Sequence, residues 1–200
     1  MNTVVYPLGS GLYINLTNRC NNACTFCVRN EGQGVGGYDL WLEHEPEADE
    51  VKTALLAYDL TRWQEVVYCG FGEPTLRLEV LLEVAAWLRE RAPHLMQRLN
   101  TNGLANLQSG QDVTPRLRKL VDTVSVSLNA ATAEDYDRLC RPAFGPAAFP
   151  GLMDFARRCQ AQGIQTVLSV VDVIGPEKVA ACRALAKEAG IPLRVRAYIP

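Results

Sequence analysis

Cys20-Asn21-Asn22-Ala23-Cys24-Thr25-Phe26-Cys27 sets three cysteines in the spacing CxxxCxxC, directly after the strand-like run Leu12-Tyr13-Ile14-Asn15-Leu16-Thr17. Iron–sulfur clusters are held by cysteine thiolates, normally four to a cubane. Here the fourth is missing from the run, and the next cysteine is Cys69. A cubane on three thiolates leaves one iron with an open position, where a small molecule can bind and react. Two other readings stand beside this one. Structural zinc on three cysteines and a distant histidine is weighed down by only two histidines, His44 and His94, and no second CxxC knuckle. A disulfide framework suits a short secreted chain rather than one of 200 residues.

The bulk of the sequence is that of an ordinary globular protein with a formal net charge of −2, so no field of one sign argues for a nucleic-acid or membrane partner. The start, Met1-Asn2-Thr3-Val4-Val5-Tyr6-Pro7, lacks the basic opening and apolar run of a signal peptide. No apolar stretch approaches the ~20 residues of a membrane span. Seven cysteines, an odd number, point to a reducing cytoplasm and to metal or core roles. No composition shift marks a boundary, so residues 1–200 read as one domain.

Along the chain, strand and helix patterns alternate. Strands are expected at 12–17, 65–69, 98–101, 123–128, 165–173 and 193–199. Helices are expected from about Ala48, through Leu78–Leu88, from a Thr114 cap to about Val121, from a Thr132 cap, over about 151–162, and from Gly175-Pro176 to Gly190. Asn30–Gly37 is a glycine-rich loop, either a connector or a lid. Six strands separated by helices imply parallel pairing with right-handed crossovers, and too few units for a closed eight-stranded barrel. The expected fold is therefore α/β, a partial (β/α)6 TIM-like barrel with parallel strands.

Ligands of such barrels bind at the C-terminal ends of the strands. The cysteine loop follows the first strand and Gly70-Phe71-Gly72-Glu73-Pro74 the second. Asn100-Thr101-Asn102-Gly103 ends the third, Ser127 and Asn129 the fourth, and Asp172 falls late in the fifth. Segments scattered in sequence thus converge on one rim. Each also has a structural reading: a glycine turn, an Asn-Gly turn, a polar strand end, and apolar core for Val171 and Val173.

These segments together resemble the radical S-adenosylmethionine (radical SAM) superfamily, over nearly the whole chain from Leu12 to Ile199. The resemblance implies that Cys20, Cys24 and Cys27 hold a [4Fe–4S] cluster and that S-adenosylmethionine (SAM) chelates the fourth iron. It sets Phe26 near the adenine. Gly70–Pro74 looks like the family's GGEP element, whose carbonyls accept from the SAM amine, with Phe71 departing from the common double glycine and Gly72-Glu73-Pro74 intact. Asn100-Thr101-Asn102-Gly103 is similar to the third-strand DTNG element of the glycyl-radical activating enzymes, with Asn100 in place of a charged aspartate. Ser127 and Asn129 match positions that reach the SAM ribose and carboxylate, and Val171 with Val173 would wall the adenine.

The strings CNNACTFC, GFGEP and LNTNG are similar, more narrowly, to the radical SAM proteins named for association with TatD-type hydrolases. The resemblance implies reductive SAM cleavage, a reducing partner such as flavodoxin or ferredoxin, and a substrate that nothing here identifies. A non-catalytic iron–sulfur protein for electron transfer or sensing is the competing class, disfavoured by the GxGEP element. Cys159 and Cys182 read as core thiols, while Cys69 and Cys140 can approach the site, and no second cluster is expected. The chain stops soon after the last strand, so no separate recognition domain is expected. Substrate contacts are then expected from residues 30–46, with Trp41, His44 and Glu45, and from 141–149. Arg29 is either a contact for a substrate anion or a surface residue.

Overall fold

The computed structural model describes residues 3–30 and 34–198. Seven strands form one open sheet in sequence order: β1 (Val5–Leu8), β2 (Gly11–Ile14), β3 (Glu65–Tyr68), β4 (Met96–Thr101), β5 (Thr123–Ser127), β6 (Gln165–Val171) and β7 (Leu193–Arg196). The pairs from β2 to β7 are parallel, as the βα alternation requires. These six are the strands of the expected partial barrel.

The seventh strand, β1, is absent from the sequence reading. It pairs antiparallel with β2 through the two-residue turn Gly9-Ser10, with Gly9 at φ +60°. A two-residue loop with glycine first is the signal for such a hairpin.

Seven helices cover one face: α1 (Ala48–Leu56), α2 (Leu78–Arg91), α3 (Ala105–Ser109), α4 (Thr114–Leu117), α5 (Ala133–Cys140), α6 (Ala148–Ala161) and α7 (Pro176–Glu188). Thr132 caps α5, its hydroxyl accepting from the Asp135 N–H. Thr114 does not cap α4. It is the first helical residue, and its N–H and hydroxyl both bond the Asp112 carboxylate. The helix ends at Leu117, short of the expected Val121. The short α3 is a further element that periodicity missed.

Side chains alternate across each strand. Leu12, Ile14, Val66, Tyr68, Leu99, Val124, Val126, Leu168 and Val170 face the helices and are fully buried. They meet Leu81, Val84, Ala85 and Leu88 of α2 and Leu152, Phe155 and Cys159 of α6 in one core. Each such side chain contributes about 1.5–3 kcal/mol. The opposite, concave face carries polar side chains, among them Arg98, Asn100, Ser125, Ser127, Ser169, Arg194 and Arg196, with Val171. A second small apolar cluster of Tyr6, Leu40 and Phe71 closes the β1 end.

β2 ends at Ile14 rather than Thr17; the Asn15 N–H still bonds the Val4 carbonyl at 2.8 Å, and its side chain donates to the Leu40 carbonyl at 2.7 Å. β6 ends at Val171. Asp172–Ile174 forms one 3-10 turn, so Asp172 lies beyond the strand and Val173 is exposed. Val173 therefore lies beyond the strand in an exposed turn, whereas Val171 stays on the concave face. The expected strand over 193–199 ends at Arg196, and its last expected residue, Ile199, lies outside the described residues, as do residues 31–33 of the glycine-rich loop. No helix among the described residues is long and apolar enough to cross a membrane.

Candidate cluster and cofactor site

The loop after β3 is built against the approach to the cysteines. A Cβ on Gly72 would lie 2.3 Å from the Thr17 carbonyl oxygen and 2.4 Å from that of Arg19. A Cβ on Gly70 would lie 1.9 Å from Asn15 Oδ1. The Glu73 N–H donates to the Arg19 carbonyl at 2.8 Å. Gly72 thus lets one backbone lie against another immediately before Cys20, and Gly70 makes room for the Asn15 side chain.

Glu73 is buried, and all its bonds are to protein. One carboxylate oxygen accepts from the Thr75 N–H (3.1 Å), the Thr75 hydroxyl (2.7 Å) and the Thr101 hydroxyl (2.7 Å). The other accepts from the Asn102 N–H at 2.7 Å. Burial raises the carboxyl pKa, opposed by these hydrogen bonds. Glu73 therefore ties the end of β3 to the end of β4. Phe71, where the family has glycine, fills the cluster with Tyr6 and Leu40 and meets Trp41 edge-on at 5.2 Å.

The cysteine loop is held from its other side by α5. The Ala23 N–H bonds the Cys140 carbonyl and the Thr25 N–H that of Leu139, both at 2.9 Å. Asn22 donates to the Tyr136 hydroxyl at 2.9 Å, and the Ala143 N–H bonds the Asn21 carbonyl at 2.8 Å. Asn102 reaches the same loop, donating to Asn21 and lying 3.9 Å from Cys20 Sγ. None of Asn21, Asn22, Thr101 and Tyr136 was singled out by the sequence reading, because their partners are distant in the chain.

Cys20, Cys24 and Cys27 are half-buried free thiols. Burial, with the Glu73 carboxylate nearby, pushes Cys20 up to about 12. Cys24 is raised by a hydrogen bond with Cys140 and by burial, and Cys27 by burial. Among the described residues, no three His, Cys, Asp or Glu side chains are gathered around a point for one metal ion. A donor set of three thiols suits a cubane, which spreads its thiolates over separate irons. A cleft of about 370 Å³ opens beside Cys24, lined by Ala23, Thr25, Arg29, Asn30 and Arg141.

Polar atoms left without partners mark the rim. Asn129, at φ +55° after β5, is buried and turns Nδ2 to Cys140 Sγ at 3.8 Å, leaving Oδ1 unbonded. Asn21 Nδ2 and Asn22 Oδ1 are also buried and unbonded. Buried polar atoms are normally paired, so this rim is suited to a ligand with both donors and acceptors. Asn100 hydrogen-bonds the Cys69 thiol, which burial raises. Ser127 ends β5 opposite Ser169, and Val171 ends β6. Phe26 packs, half-buried, on the main core.

The expected substrate loops are largely engaged. Glu45 bonds Thr17, Arg19 and Arg77, which hold its carboxyl down to about 2 despite desolvation. His44 bonds Glu50 at 2.8 Å. Trp41 remains 48 % exposed. Arg29 is half-buried and reaches the Asn18 carbonyl at 3.4 Å. Cys159 and Cys182 are fully buried, as core thiols should be.

Comparison with known proteins agrees with this arrangement. The chain is 31% identical over 144 residues to the GTP 3',8-cyclase of Mycolicibacterium smegmatis, covering 70% of this chain and 37% of that protein. It spans between 31% and 39% of the length of these curated relatives, two further GTP 3',8-cyclases and a probable RNA methyltransferase RlmN among them. Among solved structures, Streptococcus suis SuiB bound to its precursor peptide SuiA superposes with TM-score 0.72 at 16% identity, covering 98% of this chain and 40% of that one. Native anSMEcpe with bound AdoMet superposes with TM-score 0.68 at 18% identity, covering 94% and 50%. At such identities the structural likeness concerns the fold alone. The model of the Radical SAM superfamily matches residues 14–193, and the chain belongs to that superfamily.

Proposed function

We propose that this domain binds a [4Fe–4S] cluster through Cys20, Cys24 and Cys27, binds SAM beside it, and is the core of a radical SAM enzyme acting on a substrate not yet identified. When bound, the pair supplies one-electron cleavage of SAM to methionine and a 5′-deoxyadenosyl radical that takes a hydrogen atom from substrate. The protein's own part is to hold and orient. A Cys24 thiolate gives up its contact with Cys140 to serve as a ligand. The backbone of Gly70 and Gly72 offers carbonyls to the amine. Asn100, Asn102, Ser127 and Asn129 meet the polar parts of the cofactor, and Phe26 and Val171 its adenine. Glu73 acts as a positioning residue, since four protein donors already occupy its buried carboxylate.

The observation that carries this reading is the lock between the cysteine loop and the GFGEP loop: Gly72 against Thr17 and Arg19, and Glu73 joined to Asn102. The unbonded atoms of Asn21 and Asn129 on the same rim add to it. The strings CNNACTFC, GFGEP and LNTNG narrow the reading to the TatD-associated radical SAM proteins, with a cytoplasmic setting, a flavodoxin or ferredoxin as reductant, and a functional link to a TatD-type hydrolase. The test is anaerobic. The protein is reconstituted with iron and sulfide, reduced with dithionite and given SAM, and 5′-deoxyadenosine is assayed beside Cys24→Ala. Production by wild type alone supports the proposal. An intact brown cluster that yields none, with an EPR signal indifferent to SAM, supports electron transfer instead.

A further inference from the structure

We propose that the concave face beside β6 carries a subsite for a phosphate ester of the substrate, held by the guanidinium groups of Arg194 and Arg196, with Arg98 facing them from β4. It deepens the radical SAM reading by naming a substrate class, and rests on that reading for its place beside the cofactor. The orientation follows from β7. Leu193 and Val195 pack on the helix-side core, so the alternate residues, Arg194 and Arg196, project from the other face. In the parallel register Arg194 pairs with Ser169 and Arg196 with Val171. The two arginines therefore flank the strand end assigned to the adenine.

Neither guanidinium has a hydrogen bond or ion pair among the described residues. The nearby Asp172 carboxylate is turned to the Tyr198 N–H at 2.8 Å. Arg98 is held by Glu65 at 3.0 Å and lies 3.3 Å from the Tyr13 hydroxyl. Both β7 arginines are exposed, and desolvation with the charges of Arg194 and Arg98 lowers the pKa of Arg196, opposed by Cys69 and Tyr13. Three guanidiniums against the Glu65 and Asp172 carboxylates leave a surplus of one positive charge. A phosphate monoester carries about −1.5 to −2 near neutral pH, and the planar arginine fork matches phosphate oxygens. Charges on an edge strand can also serve only to discourage strand pairing; that role predicts no saturable anion binding.

The test is equilibrium dialysis of radiolabelled inorganic phosphate against the full chain at low ionic strength, with and without reconstituted cluster. Wild type is compared with R194Q/R196Q and with R157Q, which removes a charge from the exposed side of α6. We expect saturable binding by wild type, at least tenfold weaker in the double variant and within twofold in R157Q. No saturable binding by wild type, equal weakening in R157Q, or displacement of phosphate by equimolar malonate overturns the assignment. The wild-type arm decides the matter even if a variant folds poorly. Phosphate binding requires no SAM cleavage, so phosphate bound by a protein that makes no 5′-deoxyadenosine means the radical reading has failed and the subsite has not.

Discussion

The Glu73 carboxylate accepts the Asn102 N–H at 2.7 Å, and this bond joins the loop after β3 to the loop after β4 beneath the cysteines. Both groups are buried, and the Asn102 side chain continues the link to Asn21. Three further donors, two from Thr75 and one from Thr101, complete the carboxylate.

Glu73→Gln places an amide donor against donors. The threonine hydroxyls can rotate, but the Asn102 N–H cannot. Keeping the amide oxygen on the three-donor side leaves the Asn102 N–H unmet, at a cost of about 2–3 kcal/mol. Thermal melts should show that loss in the protein without cluster, and iron loading should fall with it. An unchanged melting temperature would show that the tie is dispensable.

Gly72→Ala drives a methyl group into two backbone carbonyls, neither of which can rotate away. Overpacking of this kind costs about 1–3 kcal/mol where side chains can adjust, and more is expected here. Denaturant titration should rank Gly72→Ala below Gly163→Ala, where a Cβ meets nothing within 4 Å and only the left-handed φ of +77° is strained.

Phe71→Gly restores the double glycine common in the superfamily and empties a buried site next to Tyr6, Leu40 and Trp41. Removal of a buried phenylalanine side chain costs about 3–5 kcal/mol. A stability loss below 1 kcal/mol in the same titration would mean that Phe71 is held by function rather than packing.

The Glu45 carboxyl, ordinarily near 4.5, is held down to about 2 by Arg19, Thr17 and Arg77. A depressed acid stabilises the fold above its unfolded value, and that stability is lost as pH falls through the folded value. Wild type should therefore lose melting temperature more steeply between pH 4.5 and 2 than Glu45→Gln. At neutral pH the variant should be less stable by about 1–2 kcal/mol, a figure reduced for solvent screening. Parallel acid profiles would refute the pairing.

The βα alternation, the parallel order of β2 to β7 and the rim position of every motif were legible in the residues alone, because side-chain periodicity and turn chemistry are local. The CxxxCxxC run and GFGEP carried the resemblance to the superfamily for the same reason: their spacing is along the chain. Only the tertiary structure decided what the motif residues touch. Gly72 is set by carbonyls of Thr17 and Arg19 some fifty residues earlier, and Glu73 by Thr101 and Asn102 some thirty later. Cys24 lies against Cys140, and the arginines of β7 share the concave face with Arg98 only because the parallel register sets them there. Such contacts depend on register and crossover, which no window of sequence contains.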